Sequence, residues 1–236
     1  MTDTKPTVVL VHGAFAESAS WNGVIEGLYG AGYDSVAVAN PLRSLAGDAA
    51  YVRDVLKSIP GPIVLVAHSY GGMVISEAAA GLSSVTALVY VCAFAPETGE
   101  SAFELSTKFP GSTLGGALNA YPVSSGGNEF AIRKDAFHHQ FCADVPVKDA
   151  ALMFHTQRPA TEAALSTGLP TGDPAWKAIP SWFVFSDQDL NIPVALHRFM
   201  AERAGAKGVR EIAGASHALS VSQPEAVTQT ILEAAQ

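Results

Sequence analysis

The segment Ile63-Val-Leu-Val-Ala67-His68-Ser69-Tyr70-Gly71-Gly72 constrains the fold more than any other stretch of this chain. Its first five residues are apolar without alternation, the pattern of a strand buried on both faces rather than one with a solvated side. A run of small residues follows without a spacer and reads as a helix from Gly72 to Gly81. Ser69 lies in the turn between them, with Ala67 and Gly71 two positions to either side. Small side chains there let the chain reverse sharply. That turn holds the serine in a strained conformation, its hydroxyl exposed at the carboxyl end of the strand. The N-terminal N–H groups of the helix point to the same place and favour developing negative charge. The usual pattern carries glycine where this chain has Ala67.

The rest of the chain repeats the same unit. Strands are expected at Thr7 to Val11, Asp34 to Ala39 and Ala87 to Cys92. Helices are expected from Ser18 or Ser20 to about Gly30, and from Asp48 to Ile59, where Pro60-Gly61-Pro62 stops the run. The rhythm resumes at Ser181 to Phe185 (strand), Val194 to Ala204 (helix), Gly208 to Ile212 (strand) and Pro224 to Ala235 (helix). Alternation of this kind requires right-handed crossovers and a mostly parallel α/β sheet of about six strands, flanked by helices. Residues 96 to 180 break the rhythm with Gly and Pro clusters and two helical stretches, Arg133 to Phe141 and Val147 to Leu165. A structureless loop of that length is improbable, so residues 1–95 and 181–236 read as the core and 96–180 as an inserted helical cap. There is no internal repeat and no low-complexity tract.

Composition narrows the function classes. The chain has 236 residues, 48% of them hydrophobic and 15% charged, which suits one domain with a sheet covered on both faces. A net charge of −8 with only 14 Lys and Arg argues against nucleic acid as a partner. No apolar run approaches the ~20 residues of a membrane span, and no signal-peptide core is present, so the expected place is the cytoplasm, without membrane attachment. Cys92 and Cys142 lack metal-ligand spacing and read as free thiols. No metal and no other cofactor are expected. The expected partner is a small-molecule ester, and the expected assembly is a monomer or homodimer.

A serine hydroxyl needs a neighbouring base, and the base needs a third group to hold it. Among seven histidines, His217 stands in Gly214-Ala-Ser-His-Ala218, a small-residue loop between the last strand and the last helix. His12 and His68 flank loops at strand ends, too close to their own turns to serve easily. His138, His139, His155 and His197 fall on helices, where a solvated or core-satisfied imidazole is the commoner outcome. The acid is sought after a strand between Ser69 and His217, and Ser186-Asp187-Gln-Asp189 offers two carboxylates. Asp189, deeper in the loop, is favoured; Asp187 suits a turn former bonding its own backbone. Two backbone donors for an oxyanion would be the N–H of Tyr70 and that of Ala14, in the loop after the first strand, where Gly13 allows close approach. Phe15 and Tyr70 are candidates for the pocket wall, with plain packing nearly as good a reading. In the cap, Phe103, Phe109, Phe130, Phe137, Phe141, Met153, Phe154 and Trp176 form an apolar inventory from which two or three should touch ligand. Arg133, Lys134 and Arg158 could meet an acidic group there, although such charges are more often solvated.

Together, Val-His-Gly-Ala at 11 to 14, Ala-His-Ser-Tyr-Gly-Gly at 67 to 72, Asp-Gln-Asp at 187 to 189 and Ser-His at 216 to 217 resemble the α/β-hydrolase superfamily along nearly the whole chain. Within it, the pattern looks like the branch of small esterases and hydroxynitrile lyases. The resemblance implies a triad of Ser69, Asp189 and His217, with the N–H groups of Ala14 and Tyr70 as oxyanion hole. The lyases of that branch carry a lysine directly after the catalytic histidine and a threonine in the first loop. Ala218 and Gly13 stand here, which is the esterase pattern. The expected activity is hydrolysis of small to medium carboxylic esters through an acyl-enzyme. Lactonase, thioesterase, amidase and perhydrolase chemistry share the triad, and the fold also hosts lyases and receptors that turn ligand over slowly. Dehalogenases and epoxide hydrolases use a carboxylate at the elbow and are disfavoured.

Overall fold

The computed structural model of the chain describes residues 5–124 and 126–236. The chain opens with β1 (Thr7–Val11), a short 3-10 turn (Ser18–Trp21), α1 (Asn22–Gly30), β2 (Ser35–Val38), α2 (Leu45–Ser58), β3 (Ile63–His68), α3 (Gly71–Ala78) and β4 (Val85–Val91). An insertion follows, with α4 (Ala102–Ser106), β5 (Leu118–Pro122), β6 (Asn128–Ile132), α5 (Phe137–Phe141), α6 (Val147–Thr156), β7 (Ala160–Thr161) and α7 (Glu162–Ser166). The core then resumes with β8 (Ser181–Ser186), α8 (Val194–Arg203), β9 (Gly208–Ile212), α9 (Leu219–Ser222) and α10 (Pro224–Ala234).

Six strands form one sheet in the order β2-β1-β3-β4-β8-β9, every neighbouring pair parallel. This is the α/β-hydrolase architecture with an insertion. The sequence accounts for the layering: β1 from Val8 onward and β3 up to Ala67 have no solvent exposure, whereas the edge strand β9 alternates between exposed and half-buried residues. The chain runs from β1 outward to β2 and then back to β3 on the other side. The carboxyl ends of β1 and β3 thus flank the point where strand order reverses, the place where open α/β sheets bind ligands.

Helix α2 and the insertion differ most from the sequence reading; α3 also stops at Ala78, short of Gly81, and β4 runs from Val85 to Val91 rather than from Ala87 to Cys92. Helix α2 starts at Leu45, a turn ahead of Asp48, because the Ser44 hydroxyl caps it by accepting from Gly47 N at 3.2 Å. The insertion holds an antiparallel sheet, β5-β6-β7, besides its helices. The first helical stretch contracts to Phe137–Phe141, and the second divides where Gln157, Arg158 and Pro159 lead into β7. The hairpin has a weak sequence signal because β5 is largely exposed and ends in a proline, so neither apolar alternation nor propensity marks it.

The insertion bonds directly to the core's carboxyl-end loops. The N–H of Phe15 donates to the carbonyl of Arg158 at 3.0 Å, and the N–H of Ala218 donates to that of Phe141 at 3.0 Å. Both cysteines are buried free thiols. Among the described residues, no helix is long and apolar enough to cross a membrane.

Candidate active site

Ser69 sits between β3 and α3 with φ at +56°, a left-handed conformation that a side-chain-bearing residue adopts only under constraint. The constraint is visible on both sides. Its carbonyl accepts from Gly72 N at 3.0 Å and Phe94 N at 3.2 Å. A Cβ at Gly71 would stand 2.6 Å from the carbonyl oxygen of Val11, so the first turn of α3 packs on the end of β1 only with glycine there. Ser69 itself is 7% exposed, open to the cleft and little else.

The loop after β1 is held against this turn. A Cβ on Gly13 would lie 2.5 Å from Ser69 Cβ and 2.7 Å from the carbonyl of His68, which excludes any side chain at position 13. His12 anchors the loop: Nδ1–H donates to the Gly13 carbonyl at 2.9 Å, and Nε2 accepts from Asn40 N at 3.1 Å. That pattern requires a neutral ring, and burial pushes His12 down to about 4. The N–H groups of Ala14 and Tyr70 make no hydrogen bond to the protein among the described residues, so both remain free to donate.

Asp189 and His217 meet each other through the loops after β8 and β9. Asp189 Oδ2 accepts from His217 Nδ1 at 2.7 Å, both side chains being fully buried. Asp189 Oδ1 accepts from the N–H groups of Asn191 at 2.8 Å and Ile192 at 2.9 Å. Burial by itself would raise this carboxyl group; the attraction of His217, then the hydrogen bonds from His197 and His217, outweigh it and hold Asp189 well below the usual carboxylate range. His217 Nε2 is buried and has no partner among the described residues. Phe141, from α5, packs edge-on against the His217 ring with centroids 5.2 Å apart. Asp187 does not reach the imidazole. Its Oδ1 accepts from Gly214 N at 2.7 Å, bonding the loop that carries His217 rather than its own turn.

A narrow cavity of about 30 Å³ touches Ser69, Ala14, Phe15, Phe103, Leu114 and Ile192. It has room for about two waters, and no charged side chain lines it. Phe15 and Tyr70 both border the cavity, but the Tyr70 hydroxyl points away and donates to buried Asp48 Oδ2 at 2.9 Å. Of the apolar cap inventory, Phe103 reaches the cavity. Phe109 lines an outer cavity of about 470 Å³ that shares Phe103, Ser106 and Leu114 with the inner one. Phe137 and Phe141 stack on each other at 5.3 Å, and Trp176 Nε1–H is taken by the Pro96 carbonyl at 2.7 Å. Arg133 donates to the Gly116 carbonyl at 2.6 Å, Lys134 is exposed, and neither lines the cavity. Arg158 does not line it either, and its contribution near the site is the carbonyl that holds Phe15 N.

The fold also assembles what sequence spacing did not reveal. Ligand atoms of Cys92, Asp189 and His197 lie within 4.8 Å of one another. Both carboxylate oxygens of Asp189 already accept two N–H groups each, and burial drives the Cys92 thiol upward, so the carboxylate lone pairs are taken and the thiol keeps its proton, where a metal would need free carboxylate lone pairs and a thiolate. His197 was legible only as a helical histidine. Its link to Asp189 arises because Pro193 starts α8 directly after the loop, and one turn later the helix passes back over the carboxylate.

The profile of the Alpha/beta hydrolase family matches residues 8–230, and the chain belongs to that family. It is 28% identical to Alpha/beta hydrolase nvfD of Aspergillus novofumigatus, over 98% of this chain and 97% of that one. It is 24% identical to Alpha-hydroxynitrile lyase of Arabidopsis thaliana, over 94% of each. The crystal structure of polyneuridine aldehyde esterase superposes with a TM-score of 0.82 at 22% identity, covering 98% of this chain and 99% of that one. The chain is thus related in sequence to a methylesterase and to the hydroxynitrile lyase, and it shares its fold with that esterase.

Proposed function

We propose that this chain is a carboxylic-ester hydrolase that needs no cofactor and works through an acyl-enzyme on Ser69. The observation that carries the reading is the Asp189–His217 hydrogen bond at 2.7 Å, with His217 Nε2 unpartnered among the described residues. In this reading His217 Nε2 takes the Ser69 proton as Oγ attacks the ester carbonyl. The N–H groups of Ala14 and Tyr70 bind the oxyanion, and His217 returns the proton to the departing alcohol. Water, deprotonated by the same nitrogen, then releases the acid and regenerates Ser69. Asp189 holds the ring with Nδ1 protonated throughout. The uncharged wall of the cavity favours a neutral ester. Residues 96–180 act as the cap and residues 1–95 with 181–236 as the core, working in the cytoplasm as a monomer or homodimer.

The lyase alternative has less support. Ala218 offers no positive charge beside His217, and Gly13 has no space for a hydroxyl-bearing side chain. Ser69→Ala tests the central reading: hydrolysis of p-nitrophenyl acetate should fall to background with the melting temperature nearly unchanged, and a fluorophosphonate should add once to the native chain and not to the variant. Retained turnover in purified Ser69→Ala would remove it.

A further inference from the structure

Asp189 Oδ2 accepts a second imidazole besides that of His217: His197 Nε2 lies 3.1 Å away. We infer that His197 is a positioning residue for the Asp189–His217 pair, its Nε2–H orienting the carboxylate and tempering the pull of Oδ2 on His217 Nδ1–H. The inference rests on the hydrolase reading above.

The geometry decides which nitrogen of His197 carries hydrogen. An ionised carboxylate only accepts, so Nε2 must be the protonated nitrogen. Nδ1 is then bare, and it is buried without a partner among the described residues. The ring is fixed by stacking on Phe185, with centroids 5.1 Å apart and planes 11° from parallel. Burial drives the imidazole downward, against the pull of Asp189, so the group acts as a neutral donor and not as a second cation.

Asp189 thereby accepts four N–H donors, two on each oxygen. The backbone pair at Asn191 and Ile192 locks Oδ1, and the histidine pair shares Oδ2. Without His197 the charge on Oδ2 would meet His217 alone, and a carboxylate with fewer donors attracts the remaining one more strongly. Removal of His197 should therefore favour the protonated imidazole of His217 and let the carboxylate rotate about its remaining contacts. The titratable groups around the pair are known and stay in place in the test. Cys92 and Glu211 lie near His197, His68 packs against His217, and Asp144 accepts from Ser216 next to it.

Two variants separate positioning from packing. His197→Phe keeps a flat ring against Phe185 and loses the donor, whereas His197→Gln places an amide N–H where Nε2–H was. In His197→Phe the acidic limb of kcat/KM should move up by about half a pH unit, with kcat lowered severalfold and KM within twofold. His197→Gln should return both to near the native values. A folded His197→Phe enzyme with native kcat and an unmoved limb would overturn the inference, as would equal impairment of both variants with the limb unmoved. The native chain provides a test that needs no variant: nitrogen-15 NMR should show His197 protonated at Nε2 and bare at Nδ1, and the opposite tautomer overturns the proposal. Absence of ester turnover in the native chain would instead sink the hydrolase reading, and the NMR tautomer and imidazole titrations would still decide the role of His197.

Discussion

His68 Nε2–H donates to the carbonyl oxygen of His217 across 2.9 Å, and the two rings lie 4.6 Å apart, although 149 residues separate them in the chain. The residue before Ser69 thus ties the loop carrying His217 to the strained turn. A carbonyl can only accept, which assigns the proton to Nε2 and leaves Nδ1 bare and buried. Burial, reinforced by His217 nearby, pushes His68 down to about 3.

Acid should unfold this protein through its histidines before its carboxylates. His12 falls to about 4, His68 to about 3, and His197 is lowered as well, from a reference value of 6.5. The unfolded chain then binds more protons than the folded one below pH 6.5, so stability is full above about pH 7 and declines as pH falls towards 4. Each group contributes up to ~1.4 kcal/mol per pH unit in that window. Urea midpoints at pH 7, 6 and 5 should fall steadily. Equal midpoints at pH 7 and pH 5 would show that these rings are not buried in the neutral form.

The two aspartates of the β8 loop should behave differently. Asp189→Asn replaces an acceptor of four N–H groups by an amide that accepts on one side only, and kcat should fall by roughly three to four orders of magnitude through loss of the imidazole's orientation. Asp187→Asn can still accept from Gly214 N and should cost less than tenfold. The reverse ranking of kcat would move the acid to Asp187.

Tyr70 illustrates a residue whose backbone and side chain have separate tasks. Its hydroxyl donates to Asp48, whose carboxyl group is raised by burial, while its N–H remains free near Ser69. Tyr70→Phe should lower stability by about 1–3 kcal/mol, because a buried acceptor loses its partner. Specific activity of the folded enzyme should stay within threefold. A kcat loss of a hundredfold with an unchanged melting temperature would place the hydroxyl in the chemistry.

Ester hydrolysis and cyanohydrin cleavage ask for charge stabilisation at different places. In the proposed reaction the ester's developing charge would fall on the carbonyl oxygen, where the N–H groups of Ala14 and Tyr70 are proposed to receive it. A departing cyanide must be stabilised beside His217, where Ala218 is buried and carries no charge; unmet desolvation there costs several kcal/mol. One preparation should hydrolyse p-nitrophenyl acetate readily and cleave mandelonitrile scarcely above background. Efficient cyanide release with negligible ester turnover would reverse the assignment.

Much of this arrangement is written locally in the chain. Apolar runs without alternation determine β1 and β3 as central strands, and the Ala67-His-Ser-Tyr-Gly71 spacing determines a sharp turn at Ser69, since strand, turn and helix each depend on neighbours a few residues away. The insertion was less legible: its small sheet joins partly exposed strands with weak alternation, and its fold depends on what it covers. Only the tertiary structure decided which aspartate meets His217. Asp187 and Asp189 are chemically equivalent two positions apart, and they differ in which side of one loop each faces. The same holds for His197 over Asp189, Tyr70 on Asp48 and Phe141 against His217. These are contacts between elements distant in the chain, set by how α8, α2 and the insertion pack on the sheet, and the periodicity of a sequence specifies which face of an element is apolar without naming the residue that will meet it.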